Sequence, residues 1–95
     1  MHLATYDFDG DPYALQAGYE RLVAAFDDEV ILNLCVSRPD GITVYDACPT
    51  LADFEAFSTS DAFAQALAAA GLPEPRTTSL GTVTAVHGTM VSVSA

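Results

Sequence analysis

Apolar residues along the chain recur with two different periods, and the switches between them mark out its elements. Residues 2–8, His-Leu-Ala-Thr-Tyr-Asp-Phe, form a partly aromatic and β-branched run closed by Asp9-Gly10, the pattern of a short strand. Asp11-Pro12 then opens a helix, with aspartate as N-cap and proline at the first helical position. Leu15, Tyr19, Leu22 and Phe26 follow on one helical stripe, which Asp27-Asp28-Glu29 ends.

Val30 to Val36 is apolar except at Asn33, long enough for a strand and too short for a helix. Arg38-Pro39-Asp40-Gly41 is a turn, and Ile42 to Cys48 is the return strand, so 30–48 reads as a β-hairpin. Thr50 caps the next helix, with Asp53 completing a short capping box and Phe54 and Phe57 directed to the core. Ser58-Thr59-Ser60 interrupts it, and Ser60-Asp61 starts a second helical piece with Phe63, Ala66, Leu67 and Ala70 on its inner stripe. Gly71-Leu72-Pro73 stops that piece, and Pro73-Glu74-Pro75 is a stiff connector. Residues 79–87 read as the last strand, with Gly88 a bulge or end, and the alternation of Val91 to Ser94 extends it.

The order β-α-β-β-α-β predicts an α+β, ferredoxin-like protomer: a four-stranded antiparallel sheet in the order 4-1-3-2 with its helices on one face. In the hairpin, pairing Ser37 with Ile42 sets Asn33 opposite Asp46, Cys35 opposite Val44 and Ile31 opposite Cys48. A slip of one residue would place Asp46 beside Leu34 instead. Val30, Leu32, Leu34, Val36 and Tyr45 then share a thoroughly apolar face suited to the helices. Ile31, Asn33, Cys35, Ile42, Val44, Asp46 and Cys48 share the other, which is still mostly apolar. Two helices cover one side only, and each apolar side chain left wet forfeits about 1.5–3 kcal/mol. A second copy, sheet against sheet, is the expected cover, so the chain is read as a homodimer enclosing an apolar small-molecule cleft.

The 95 residues suit one domain, 1–95. A net charge of −10, with no lysine and only Arg21, Arg38 and Arg76, removes the cationic surface that nucleic acid or an anionic membrane needs. No apolar run approaches the roughly 20 residues that span a bilayer, and Met1-His2-Leu3-Ala4-Thr5 does not begin a signal peptide. Asp7, Asp9 and Asp11 and the run 27–29 read as solvated loop ends. As a cation loop, Asp7-Phe8-Asp9-Gly10-Asp11-Pro12 puts its glycine too early. Cys35 and Cys48 lie four residues apart along the hairpin, about 13 Å, beyond the ~7 Å Cα limit of a disulfide. Reduced thiols fit a cytoplasmic protein.

The element order, the Arg38-Pro39-Asp40-Gly41 hairpin and the stretch Tyr45-Asp46-Ala47-Cys48-Pro49-Thr50 entering a Phe-containing helix resemble the dimeric α/β-barrel superfamily. Ser60-Asp61-Ala62-Phe63 and the stretch Ala70-Gly71-Leu72-Pro73-Glu74-Pro75 also fit the likeness to its antibiotic-biosynthesis-monooxygenase-like group. The resemblance implies a dimer with facing sheets, and oxidation of aromatic polyketides or quinols without metal or flavin; other members degrade haem. Such proteins often hold Trp where the third strand meets the second helix. Here that place is Cys48, and with no Trp, and no His on the second helix, haem degradation is disfavoured.

Three residues stand out as candidate chemistry. Asn33 and Asp46 form a polar pair on otherwise apolar strands, with both expected on the partner-facing side. They are either a satisfied structural pair or a base and its orienting group, Asp46 taking a proton from a phenol or activated C–H and Asn33 holding a carbonyl or a dioxygen-derived group. His87 is expected at the same end of the sheet, two strands or about 9–10 Å from Asp46, as a second acid/base or as an edge histidine. A zinc site at His2, His87 and Cys48 lacks short ligand spacing, so no metal and no cofactor are expected. The alternative to an enzyme is a non-catalytic dimer that binds a ligand or another protein.

Overall fold

The structure, a computed structural model, describes residues 1–88. Strand β1 (His2–Asp9) is followed by helix α1 (Pro12–Ala25) and a 3-10 turn at Asp27–Glu29. Strands β2 (Leu32–Arg38) and β3 (Gly41–Cys48) form the hairpin; α2 (Leu51–Ser58), α3 (Asp61–Ala70) and β4 (Arg76–Thr82) complete the chain. The strands make one antiparallel sheet in the order β2-β3-β1-β4, an α+β arrangement compatible with a ferredoxin-like fold.

Each helix starts where a side chain satisfies a free backbone N–H. Asp11 Oδ2 accepts from Ala14 N at 3.0 Å, Thr50 Oγ1 from Asp53 N at 3.0 Å, and Ser60 Oγ from Phe63 N at 3.1 Å. α3 ends at Gly71, whose φ of +77° is the left-handed turn that returns Leu72 N to Leu67 O at 2.9 Å. Leu72 then packs on Gly18 of α1, where a Cβ would stand 2.7 Å from Leu72 Cδ2. Arg21 binds the carbonyl of Ala70 from α1, so the two helices are joined by packing and by a charged cap.

The helices cover the face opposite to the one expected from the hairpin. Ala4, Tyr6 and Phe8 of β1 and Ile42, Val44 and Cys48 of β3 pack with Leu15 of α1, Phe54 of α2 and Phe63 and Leu67 of α3 in a single core. The physical reason lies in the central strand. β1 pairs Tyr6 with Val44 and Phe8 with Ile42, so its two large aromatics stand on the Asn33/Asp46 side. Leu32, Leu34 and Val36 are consequently exposed on the open face, at 39%, 54% and 45%, with Tyr45 half-buried among them.

The last strand also lies elsewhere than the predicted 79–87. β4 needs β1 as its partner, and the ladder runs from Arg76 opposite Asp7 to Thr82 opposite His2. The register shifts between Leu3 and Ala4, and Gly81, φ +148°, sits at that irregularity, whereas Gly88, expected as a bulge or end, lies beyond the strand. Residues 83–88 have no regular structure, and the predicted extension at 91–94 lies outside the described residues.

Gly41 is required by proximity. An added Cβ there would stand 2.0 Å from the Phe8 carbonyl oxygen, against backbone that cannot yield. Gly41→Ala is expected to lower stability in urea unfolding by about 3 kcal/mol, an overpacking penalty; an unshifted midpoint would contradict this β1–β3 contact.

Candidate functional site

Between the sheet and the helices lies a cavity of about 380 Å³, a size suited to a small organic molecule. Its walls are largely aromatic and aliphatic: Tyr6 and Phe8 from β1, Phe26 at the C-cap of α1, Phe57 from α2 and Phe63 from α3. The rings touch in series, Phe26 to Phe57 at 5.1 Å edge-on, Phe57 to Phe63 at 4.6 Å, and Phe63 to Tyr6 at 5.3 Å. Such aromatic pairs each add about 0.5–1.5 kcal/mol beyond the burial of their area.

One polar chain crosses this apolar surface. Asn33 of β2 faces Asp46 of β3 in the ladder, and its Nδ2 donates to Asp46 Oδ1 at 3.0 Å. Tyr19 of α1 donates its phenol to Asn33 Oδ1 at 2.5 Å, which fixes the amide's orientation. Cys48 Sγ donates to Asp46 Oδ2 at 3.6 Å. Asp46 is therefore held from two sides.

The surroundings set the ionisation of these groups. Burial pushes the Asp46 carboxyl above the usual carboxylate range, and the hydrogen bonds from Asn33 and Cys48 counteract only part of that. Burial, with Asp46 beside it, pushes the Cys48 thiol up to about 11, so it is no ready thiolate nucleophile. Burial likewise lifts Tyr19 to about 12. The remaining acids on the lining are Glu29 and Asp53, and no Lys, Arg or His lines the cavity among the described residues.

Asn33 and Asp46 thus meet as the hairpin register requires, but on the helix-covered side rather than the partner-facing one, because β1 places its aromatics there. The apolar cleft accordingly lies within one chain. His87 does not join them: it is exposed in the irregular segment after β4 and does not line the cavity. His2 is buried with Nε2 3.0 Å from Ser79 Oγ and its ring 5.2 Å from Phe54. Among the described residues no group of His, Cys, Asp and Glu is arranged to hold a metal ion. Of the acidic loop ends, Asp7 and Asp9 are paired with cations: Arg38 lies 3.7 Å from Asp7 and 3.8 Å from Asp9, as well as 2.8 Å from Asp40, and Arg76 binds Asp9.

Two tyrosines belong to the site although their positions read simply as core. Tyr19 sits in the apolar stripe of α1, and the signal for it is a phenol on the stripe that faces a lone Asn. Tyr6 lines the cavity with a buried hydroxyl that has no hydrogen-bond partner.

Fold and cavity together define an α+β protein with an acid-bearing pocket under its helices. No protein-family model, no curated protein and no solved structure matches the chain. No helix among the described residues is long and apolar enough to cross a membrane.

Because native Asp46 holds its proton to higher pH than the unfolded chain, its contribution to stability is complete below the unfolded value of about 3.9 and is lost as pH rises through the native one. Wild type should therefore lose stability relative to Asp46→Asn across that window in urea unfolding. Asn33→Ala removes a donor to the carboxylate, so the Asp46 carboxyl carbon should titrate higher still by NMR; a lower value would contradict the hydrogen bond's direction.

Proposed function

We propose that this protein binds a neutral aromatic, polyketide-like molecule in the cavity under its helices and transfers a proton from it to Asp46. It would act as a cytoplasmic, monooxygenase-like enzyme that works without metal or flavin, as the resemblance to the antibiotic-biosynthesis-monooxygenase-like group implies. The observation that carries the reading is a carboxylate with a raised pKa on the wall of an apolar cavity, oriented by Asn33. A base is most effective when its pKa lies nearer the working pH, and burial moves Asp46 in that direction. One Asn33 N–H is committed to Asp46, leaving the second for a substrate oxygen.

In the oxidative form of the reaction, a phenol with a para C–H gives its hydroxyl proton to Asp46, and the electron-rich ring then reacts with dioxygen. One oxygen atom enters the ring and the other leaves as water. The substrate supplies all four electrons and becomes the para-quinone, and the base is regenerated. His87, exposed and away from the lining, has no part in this reading.

Oxygen uptake with 1-naphthol tests it. Asp46→Asn should slow uptake by about 100- to 10,000-fold, the usual contribution of a positioned base, while binding persists; unchanged uptake would remove Asp46 as the base. A second reading, ligand binding without chemistry, is favoured by one observation: both Asp46 oxygens already accept hydrogen bonds within the protein. It requires binding with no uptake in wild type.

The same proposal includes a homodimer joined through the open sheet face. The exposed row Leu32, Leu34 and Val36 supports it, since apolar surface of this extent on a sheet ordinarily acquires cover. Light scattering should report twice the 10.0 kDa of one chain, and Leu34→Glu should halve that mass while leaving circular dichroism unchanged. A 10.0 kDa wild-type particle at micromolar concentration would exclude the dimer but not the cavity, which one chain builds alone.

A further inference from the structure

His2 and Ser79 stand outside the cavity lining, and neither takes part in the chemistry of Asp46. His2 heads the central strand on its helix-covered side, 6% exposed, with its imidazole held against the Phe54 ring at 5.2 Å. Its Nε2 lies 3.0 Å from the hydroxyl oxygen of Ser79, an exposed residue of the edge strand β4. Beside the pair, Val83 N donates to the Met1 carbonyl at 2.8 Å, which ties the start of β1 to the end of β4. A sheltered, oriented base therefore meets a hydroxyl that solvent can reach.

The contact depends on an irregularity in the ladder. Thr82 pairs with His2 and Gly81 with Leu3, but Ser79 pairs with Ala4, which leaves Leu80 as an extra residue. Had the ladder kept the register of Gly81, Ser79 would oppose Thr5 and stand on the open face, away from His2. The bulge turns it to the side of the imidazole instead. Bulges at sheet edges recur where a side chain is re-aimed for function.

A groove of about 490 Å³ lies between β4 and the α2–α3 turn. The buried Phe63, Leu67 and Leu72 form its floor, and the exposed Thr59, Glu74 and Thr77 its rim. Ser79 is two residues beyond Thr77 on the same side of β4, about 7 Å along the strand. No Lys or Arg lines the groove among the described residues, so an uncharged occupant is favoured over an anion.

We propose that Ser79 and His2 are the nucleophile and general base of a second, acyl-transfer site that takes uncharged, activated carboxylic esters. With the imidazole hydrogen on Nδ1, Nε2 accepts the hydroxyl proton as Ser79 Oγ attacks the ester carbonyl. The Oγ–C bond forms and the bond to the leaving oxygen breaks. The proton on Nε2 passes to that oxygen, so an alcohol departs and an acyl-serine remains. The outer backbone N–H groups of β4 have no strand partner among the described residues, and they are donors of the kind that steady a carbonyl oxygen as charge builds on it.

Two probes test the pair: 4-nitrophenyl acetate, read as nitrophenolate release, and phenylmethanesulfonyl fluoride, whose stable sulfonyl-serine is located by peptide mass mapping. In wild type, Ser79 should be sulfonylated at least about 100-fold faster than Ser37, an exposed serine of β2, since a positioned base supplies about 100- to 10,000-fold. Equal labelling of the two serines would overturn the proposal without any variant and leave the hydrogen bond a structural one. Ser79→Ala should remove the fast phase of nitrophenolate release, and a fast phase that persists would place the nucleophile elsewhere and overturn the assignment. His2→Gln, and His2→Phe, which keeps a ring against Phe54, should bring Ser79 down to the Ser37 rate. Fast labelling of Ser79 in either variant, with circular dichroism unchanged, would remove His2 as the base and overturn the proposal.

Discussion

Tyr6 and Phe8 stand on one side of β1, and antiparallel pairing with β3 sets Val44 and Ile42 beside them. Side chains alternate across a regular ladder, so this one choice of side also commits the residues of the β2–β3 hairpin. Asn33, Cys35, Asp46 and Cys48 are carried beneath the helices, while Leu32, Leu34, Val36 and Tyr45 are carried to the open face. Phe8 and Ile42, the largest fully buried side chains, mark where the resulting core is tightest. The cavity opens beside that tight region, where Asn33 and Asp46 interrupt the apolar packing.

Burying a carboxylate among aromatic rings is costly unless donors surround it. Tyr19, Asn33 and Cys48 supply a chain of donors drawn from three different elements, α1, β2 and β3. Desolvation still prevails over those hydrogen bonds, and the Asp46 carboxyl remains raised. The arrangement therefore ties the seating of α1 on the sheet to the ionisation of the site: Tyr19 orients Asn33, and Asn33 stabilises the charge on Asp46. Tyr6 differs from these groups because no protein partner meets its hydroxyl.

The few cations are all committed to structure. Arg21 closes the C-terminus of α3, Arg38 holds the hairpin turn against Asp7, Asp9 and Asp40, and Arg76 ties β4 to Asp9. These exposed or half-exposed pairs each contribute little in water. Their larger effect is geometric, since Arg38 also binds the Phe8 and Ile42 carbonyls and Thr43 Oγ1 where β1, β2 and β3 converge. Negative charge elsewhere stays unbalanced, consistent with a net charge of −10.

Helix starts were legible from Asp11, Thr50 and Ser60, and the stop from Gly71, because caps are local and chemically specific. The hairpin register was legible from Asn33 and Asp46, since a polar pair on two apolar strands tolerates a single alignment. By contrast, both faces of the hairpin are apolar, and periodicity states which residues share a face without stating which face is covered. That was decided by β1, whose aromatics bring the helices to the Asp46 side. The end of β4, and with it the exclusion of His87 from the site, depended on pairing with β1 at long range. So the sequence by itself determined the elements, their caps and the Asn33–Asp46 contact. Only the tertiary structure decided that this contact lines a cavity with Tyr6 and Tyr19, because a cavity is made by elements meeting across a sheet and no local pattern encodes that meeting.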